Sequence, residues 1–332
     1  MNTDTRKRIL EIATTTGGVR PHELVRLLKI SPVAIHKHLK ELVKSGLLEK
    51  RGKPPSVIYV ASTASTPPAI STIPAEHKEE IERHFCYFTP SGEELDGVSG
   101  FIAFLERTGQ AQDPTARALE YIEILHTAER FKDPAGLVDG TRKVSDTFEQ
   151  CFISKLYYSD FYSLPKYGKT RLGQFLLHGK SGQNLKLIQT IAALTKAHVQ
   201  DIITTNSIEA IAFAPHSIPR KIPFLKEYRK LLNLSLPDIT LTKAFSGDVP
   251  IAQKSLSKLA ERIENARQTI FVKDSSFPYS RVLVIDDALG SGATLNEIAR
   301  KLKSAGRGTE ACEIFGYAIV GSYKGFEVIK EV

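Results

Sequence analysis

Val282-Leu283-Val284-Ile285 sets four branched apolar residues in a row, the pattern of a strand buried on both faces of a parallel sheet. The run stops at Asp286 and Asp287 and passes two glycines, Gly290 and Gly292. From Thr294 the spacing becomes helical, with Leu295, Ile298, Ala299 and Leu302 on one face and Gly306 as the stop. This stretch predicts a strand, an acidic pair, a glycine loop and a helix. Ahead of it the pattern predicts a helix over Leu185–Ile203, a short strand over Ile211–Ala214 and a helix over Phe224–Leu232. Further strands are predicted over Ile239–Leu241, Thr269–Val272 and Cys312–Val320. Strands alternating with helices predict an α/β fold with a parallel sheet and flanking helices.

The first sixty residues follow a different pattern. Asp4 is placed to cap a first helix with Ile9, Ile12 and Ala13 inward, closed by Gly17-Gly18. Pro21 opens a short second helix carrying Leu24, Leu27 and Leu28. Ser31-Pro32 is an N-cap followed by proline at the first helical position, so a third helix runs to about Ser45 with Gly46 behind it. Ile35, Leu39 and Leu42 follow helical spacing and face a core. The opposite face carries Val33, Lys37, Lys40 and Lys44, flanked by His36. Leu47–Arg51 and Val57–Val60 then read as a β-hairpin whose tip holds Lys53. His36 and His38 sit two apart, poor spacing for a metal, and read as DNA contacts or surface.

Residues 61–74 are rich in Ser, Thr and Pro and lack periodicity, which marks a linker between residues 1–60 and the remainder. Residues 75–150 read as mostly helical (Glu76–Phe88, Val98–Arg107, Thr115–Phe131), a spacer or dimerisation segment. Residues 151–332 form the α/β domain. It begins with an aromatic cluster, Phe152, Tyr157, Tyr158, Phe161, Tyr162 and Tyr167, which suits a core or a stacking surface for a base. Lys166–Gly173 reads as a basic loop, either an exposed turn or a phosphate contact.

Charge sharpens this division. The chain of 332 residues has a net charge of +8, and residues 1–60 hold twelve Lys/Arg against five acids, so +7 of the total lies there. Such an asymmetry points to a polyanionic partner for the N-terminal segment. Three dispersed cysteines argue against a zinc cluster or a disulfide framework, and no metal-ligand cluster is expected. The polar start and the lack of a long apolar run predict a cytoplasmic protein with no membrane partner.

The chemistry is concentrated in the acidic pair and glycine loop. Asp286 and Asp287 can accept hydrogen bonds from vicinal hydroxyls, while Gly290–Thr294 can offer backbone N–H groups and a helix N-terminus to a phosphate. Both together describe a ribose 5-phosphate. The stretch resembles the motif of type I phosphoribosyltransferases that binds 5-phosphoribosyl 1-pyrophosphate (PRPP): apolar strand, two acids, short loop, then Ser291, Gly292 and Thr294. That resemblance implies PRPP binding by Asp286, Asp287, Ala288, Leu289, Gly290, Ser291, Gly292, Ala293 and Thr294, with Mg²⁺ accompanying the pyrophosphate.

The likeness narrows to ComF-type phosphoribosyltransferases. Their element of a strand, a proline and, after a gap, Arg-Lys resembles Phe213–Lys221, and their stretch of Gln-x-x-Leu followed after a gap by Arg-x-x-Asn resembles Gln253, Leu256, Arg262 and Asn265. Arg220, Lys221 and Arg262 become candidates for the pyrophosphate side. The four-cysteine module common in that family is absent from this sequence. Position 222 onward reads Ile-Pro-Phe-Leu-Lys instead of Arg-x-Arg-Gly-Phe-Asn-Gln, so the loop facing the pyrophosphate is altered.

Residues 1–60 resemble a winged helix-turn-helix domain. This implies helix 32–45 in the major groove of duplex DNA, with Val33, His36, Lys37, Lys40 and Lys44 facing it, and Lys50, Arg51 and Lys53 on phosphate or in the minor groove. Purine repressors that join a winged helix to such a domain use PRPP as effector. The combined expectation is a homodimeric DNA-binding regulator sensing PRPP or a nucleotide. An active ComF-like transferase with accessory DNA binding is the alternative. A competence-type protein acting on single strands is a third reading, without an aromatic-basic track to support it.

Overall fold

The computed structural model describes residues 2–62, 73–216, 218, 220–251, 253–273, 277–305 and 312–323. The chain divides into two compact units, Met1–Pro68 and Ala69–Val332. Most of the linker expected over residues 61–74 lies outside the described residues. Of its ends, Ala61 belongs to a strand and Ile73 is buried.

The first unit contains α1 (Asn2–Thr15), α2 (Pro21–Leu28) and α3 (Pro32–Lys44), followed by the antiparallel strands β1 (Leu48–Arg51) and β2 (Ile58–Ala61). The Ser31 hydroxyl caps α3 by accepting from the Ala34 N–H at 3.3 Å, and Pro32 fixes the first helical residue. Ile35, Leu39 and Leu42 pack with Ile9, Ala13, Leu24, Leu48 and Tyr59 in one apolar core. Val19 joins the hairpin through two 2.8 Å backbone hydrogen bonds with Tyr59.

Three details depart from the sequence reading. Asp4 falls inside α1 rather than capping it, because the helix begins at Asn2. Leu27 is exposed rather than inward, so α2 contributes chiefly Leu24 to the core. His38 is buried, since it occupies the i+3 place of the inward stripe set by Ile35, Leu39 and Leu42. It is therefore neither surface nor a DNA contact.

The second unit opens with α4 (Ala75–His84), the hairpin β3 (Cys86–Phe88) and β4 (Glu94–Asp96), then α5 (Gly97–Arg107) and α6 (Pro114–Glu129). The expected first helix of this block stops four residues early. Cys86-Tyr87-Phe88 instead pair with Glu94–Asp96 around the Pro90-Ser91-Gly92 turn. Next come β5 (Val138–Asp139), α7 (Thr141–Ser145), β6 (Lys155–Phe161) and the small hairpin β7 (Ser163–Leu164) and β8 (Gly168–Lys169). The remainder alternates: α8 (Arg171–Ser181), α9 (Leu185–Thr205), β9 (Ala210–Phe213), α10 (Phe224–Leu232), β10 (Asp238–Ile239) and β11 (Leu241–Lys243). It ends with α11 (Leu259–Thr269), β12 (Ile270–Val272), β13 (Arg281–Leu289), α12 (Ala293–Ala305) and β14 (Glu313–Gly321).

Six strands form one sheet in the order β10-β9-β13-β14-β6-β5, parallel except for the edge strand β5. Val282, Leu283, Val284 and Ile285 are at most 1% exposed, as a central strand covered on both faces requires. Helices α4 to α6 contribute Ile81, Phe101 and Tyr121 to the same core as the sheet residues. Most of the aromatic cluster is core: Tyr158, Phe161, Tyr162 and Tyr167 are all buried.

The two units have separate apolar cores, so Leu39→Ala should act on one of them alone. Truncating this fully buried leucine should destabilise the N-terminal unit by about 2–5 kcal/mol. Urea unfolding followed by fluorescence and circular dichroism should show the early transition moving and the transition of the sheet unit unchanged.

Candidate functional site

In the sheet, β9 connects onward to β10 on one side while β13 connects to β14 on the other. The strand order therefore reverses between β9 and β13, where open α/β sheets form a crevice at the carboxyl ends. Pairing in register makes this crevice specific. Ile285 opposes Phe213, the last residue of β9, whereas β13 continues beside β14 to Leu289. Asp286 and Asp287 thus lie where β13 has lost one neighbour and kept the other. The strand runs four residues beyond the expected end at Ile285, because β14 still offers Ala318, Val320 and Gly321 as partners.

The two acids have different partners. The Asp286 carboxyl accepts from the Asp287 N–H at 2.7 Å. Burial, reinforced by the Asp287 charge, pushes its pKa up to about 7. Asp287 forms an ion pair with Lys180, in the last turn of α8. Burial alone would lower the Lys180 ammonium, and the adjacent Asp287 carboxylate reverses that shift.

Lys180 and Lys243 act on the pair directly, while Arg220 and Arg262 reach its neighbours. Arg220, in the loop after β9, donates to the Lys180 carbonyl, and the neighbouring Ile222 N–H donates to Gln183 Oε1 at 2.8 Å. Lys243 on β11 donates to Asn265 Oδ1 at 3.1 Å and acts electrostatically on Asp286. Burial pushes its pKa down to about 8. Arg262 on α11 is 6% exposed. Its Nε donates to the Leu256 carbonyl at 2.8 Å, its own carbonyl accepts from Gln253 Nε2 at 3.1 Å, and its Nη2 is buried with no partner among the described residues. Nη1 lies 3.6 Å from where a Cβ on Gly290 would be. A buried guanidinium N–H left without an acceptor is costly, and this one belongs to a guanidinium whose other nitrogen borders the glycine loop.

The loop is shaped by its neighbours. Gly292 has φ +79°, and a Cβ there would come 3.1 Å from Val144 Cγ2. Ser291 is buried and its Oγ accepts from the Ala293 N–H at 3.4 Å, which leads the chain into α12. Gly290, Ser291 and Gly292 thus stand at the N-terminus of α12, with half-buried Thr294 in its first turn. Asn296 fixes the overlying segment by accepting from Phe152 N–H at 2.8 Å and donating to the Gln150 carbonyl at 3.1 Å.

Asp286, Asp287, Arg220 and Arg262 therefore all lie near the carboxyl end of β13, while Lys221 is exposed on its loop. Lys180, Gln183 and Lys243 escaped the sequence reading. No local spacing marks them, since each arrives from an element distant in sequence. The Gln253–Asn265 stretch also gains a physical meaning: Gln253 and Leu256 hold Arg262, and Asn265 holds Lys243. Asp287 is already paired and Asp286 resists ionisation, so the acidic pair by itself offers no ready protein-held site for a divalent cation.

A cavity of about 210 Å³ lies elsewhere in the unit, lined in part by Lys132, Ser159, Asp160 and His198. Its polar groups satisfy one another: Lys132 contacts Glu129 at 2.7 Å and Asp160 at 3.2 Å, and His198 Nδ1 lies 2.8 Å from Ser159 Oγ.

In the first unit, α3 presents Val33, His36, Lys37, Lys40 and Lys44 to solvent, as the spacing predicts. In the hairpin, Lys50 and Lys53 are exposed, whereas Arg51 is held by Glu49 at 2.8 Å, which offsets its charge. Residues 2–49 match the family of winged helix-turn-helix DNA-binding domains. The N-terminal unit is a winged helix-turn-helix domain. The match covers the three helices and the first half of β1, and points to a DNA-binding regulator. No curated protein matches the chain. No helix among the described residues is long and apolar enough to cross a membrane.

The state of Asp286 generates a stability prediction. Its pKa is raised in the fold above the ordinary 3.8, so folding favours the neutral acid. That contribution is complete below pH 4 and is lost as pH rises through about 7. Asp286→Asn should therefore stabilise the sheet unit at pH 8 by on the order of 1 kcal/mol, the gain being limited by partial exposure of the strand end. Denaturant melts should show the difference vanishing by pH 4.

Proposed function

We propose that this chain is a cytoplasmic DNA-binding transcriptional regulator whose C-terminal unit binds PRPP or a related ribose phosphate as effector. The reading is carried by one observation: the Arg262 guanidinium lies with Nη1 against the glycine loop that follows two adjacent carboxylates, and its buried Nη2 has no partner among the described residues. A phosphate accepts from Arg262 and the loop N–H groups, and Asp286 and Asp287 accept from the ribose hydroxyls. Arg220, Lys180 and Lys243 supply positive charge for the pyrophosphate, whose Mg²⁺ arrives with it. The C-terminal unit then has a phosphoribosyltransferase-like fold of the ComF type. The altered sequence after Arg220 and Lys221 favours sensing over turnover. Transfer of phosphoribosyl to a base is the second reading, favoured by an Asp286 carboxyl that titrates near neutrality, where a general acid or base works best.

Homodimerisation follows from the DNA-binding mode, because winged-helix regulators read half-sites one helical turn apart. Sedimentation at micromolar concentration should give a dimer; a monomer with and without DNA would remove this part.

Two measurements test the whole. Duplex affinity should fall steeply with salt, and Lys37→Ala with Lys40→Ala should flatten the log–log slope by about 2 if both meet phosphates. PRPP with Mg²⁺ should change DNA affinity about 5- to 150-fold. Asp286→Asn with Asp287→Asn should keep DNA binding and abolish that response. Pyrophosphate released at enzyme-like rates in the presence of a base, with DNA affinity indifferent to PRPP, would favour the transferase instead.

A further inference from the structure

Val33 is 80% exposed, the highest value among the large hydrophobic residues described. Single apolar residues on a surface are common, so exposure by itself means little. Three further facts set this valine apart. It is the second residue of α3, one position after Pro32, in the turn capped by Ser31. It shares a helix face with Lys37, Lys40 and Lys44, all exposed, so a solvent-facing role alone would suit another polar side chain. A β-branched residue is also a poorer helix former than alanine, so the position gains nothing for folding from being valine.

In a helix-turn-helix the N-terminal residues of the recognition helix meet the base edges, while residues further along and in the wing meet phosphates. Among the features displayed in the major groove, the one apolar group is the C5-methyl of thymine. We propose that Val33 reads a thymine methyl group and so fixes one base pair of the preferred DNA site. The assignment rests on the DNA-binding reading of the N-terminal domain and adds a chemical specificity to it. Lys37, Lys40 and Lys44, further along the same face, supply contacts indifferent to sequence. The valine converts that electrostatic hold into a register.

The test uses the full chain. Selection from a randomised duplex library defines the preferred sequence, and each thymine in it is then replaced singly by deoxyuridine, which lacks only the methyl group. At one thymine per half-site, the replacement should weaken wild-type binding about three- to fivefold, the ratio expected for one buried methyl group. Val33→Ala should bind the unmodified site more weakly by a similar factor and be blind to uracil at that position, closing a cycle between side chain and methyl group. This variant keeps its helix, since the side chain is exposed and alanine is the better helix former. Equal sensitivity of wild type and variant to every uracil would overturn the proposal while leaving DNA binding intact. So would selection that returns no thymine dependence at all. Absence of any duplex affinity would overturn the DNA-binding reading itself, and the valine assignment with it.

Discussion

Strand β13 is covered on both faces and flanked on both edges, and this burial decides where polar chemistry can stand in the C-terminal unit. Within Val282–Ile285 no side chain can meet water, so the first place for charge is where a neighbour ends. β9 ends at Phe213, and the next residues of β13 are the two aspartates. The raised pKa of Asp286 and the pairing of Asp287 follow from that geometry. One carboxyl is desolvated by the strand it continues and repelled by its neighbour, while the other reaches the Lys180 ammonium on α8. The reversal of strand order at the same place brings the loop after β9 to the crevice and with it Arg220.

Arg262 shows how the crevice differs from an ordinary salt-bridge network. Glu297, also buried, is answered by Arg267 at 3.0 Å and Arg300 at 2.9 Å and needs nothing further. Arg262 is held by a carbonyl at Nε yet keeps Nη2 buried without an acceptor among the described residues, while Nη1 lies against Gly290. Burying a guanidinium N–H unanswered is unfavourable, and proteins retain such groups where a ligand completes them.

Local patterns were legible in the sequence to the extent that each element obeys its own periodicity. The central strand, α3 with its Ser31 cap, and α10 all emerge where spacing and capping place them. Where partners lie far apart in sequence, the pattern was insufficient. Tyr87 and Phe88 fit a helical stripe until Glu94 and Leu95 offer backbone partners. His38 was polar enough to assign to the surface, but the stripe made by Ile35, Leu39 and Leu42 draws it inward. Lys180 and Lys243 carry no local signal at all: both are identified only by the aspartates that the sheet brings to them.

The central claim is that the acidic pair, the glycine loop and Arg262 form one ribose-phosphate site. Its most direct test is the thermal midpoint of the sheet unit with increasing ribose 5-phosphate, measured for wild type and Arg262→Met. Wild type should shift upward with ligand concentration as binding to the folded state demands, and the methionine variant, similar in length but without the charge or the open N–H, should barely respond. Equal shifts in both proteins, or no shift in wild type at millimolar ligand, would contradict the account.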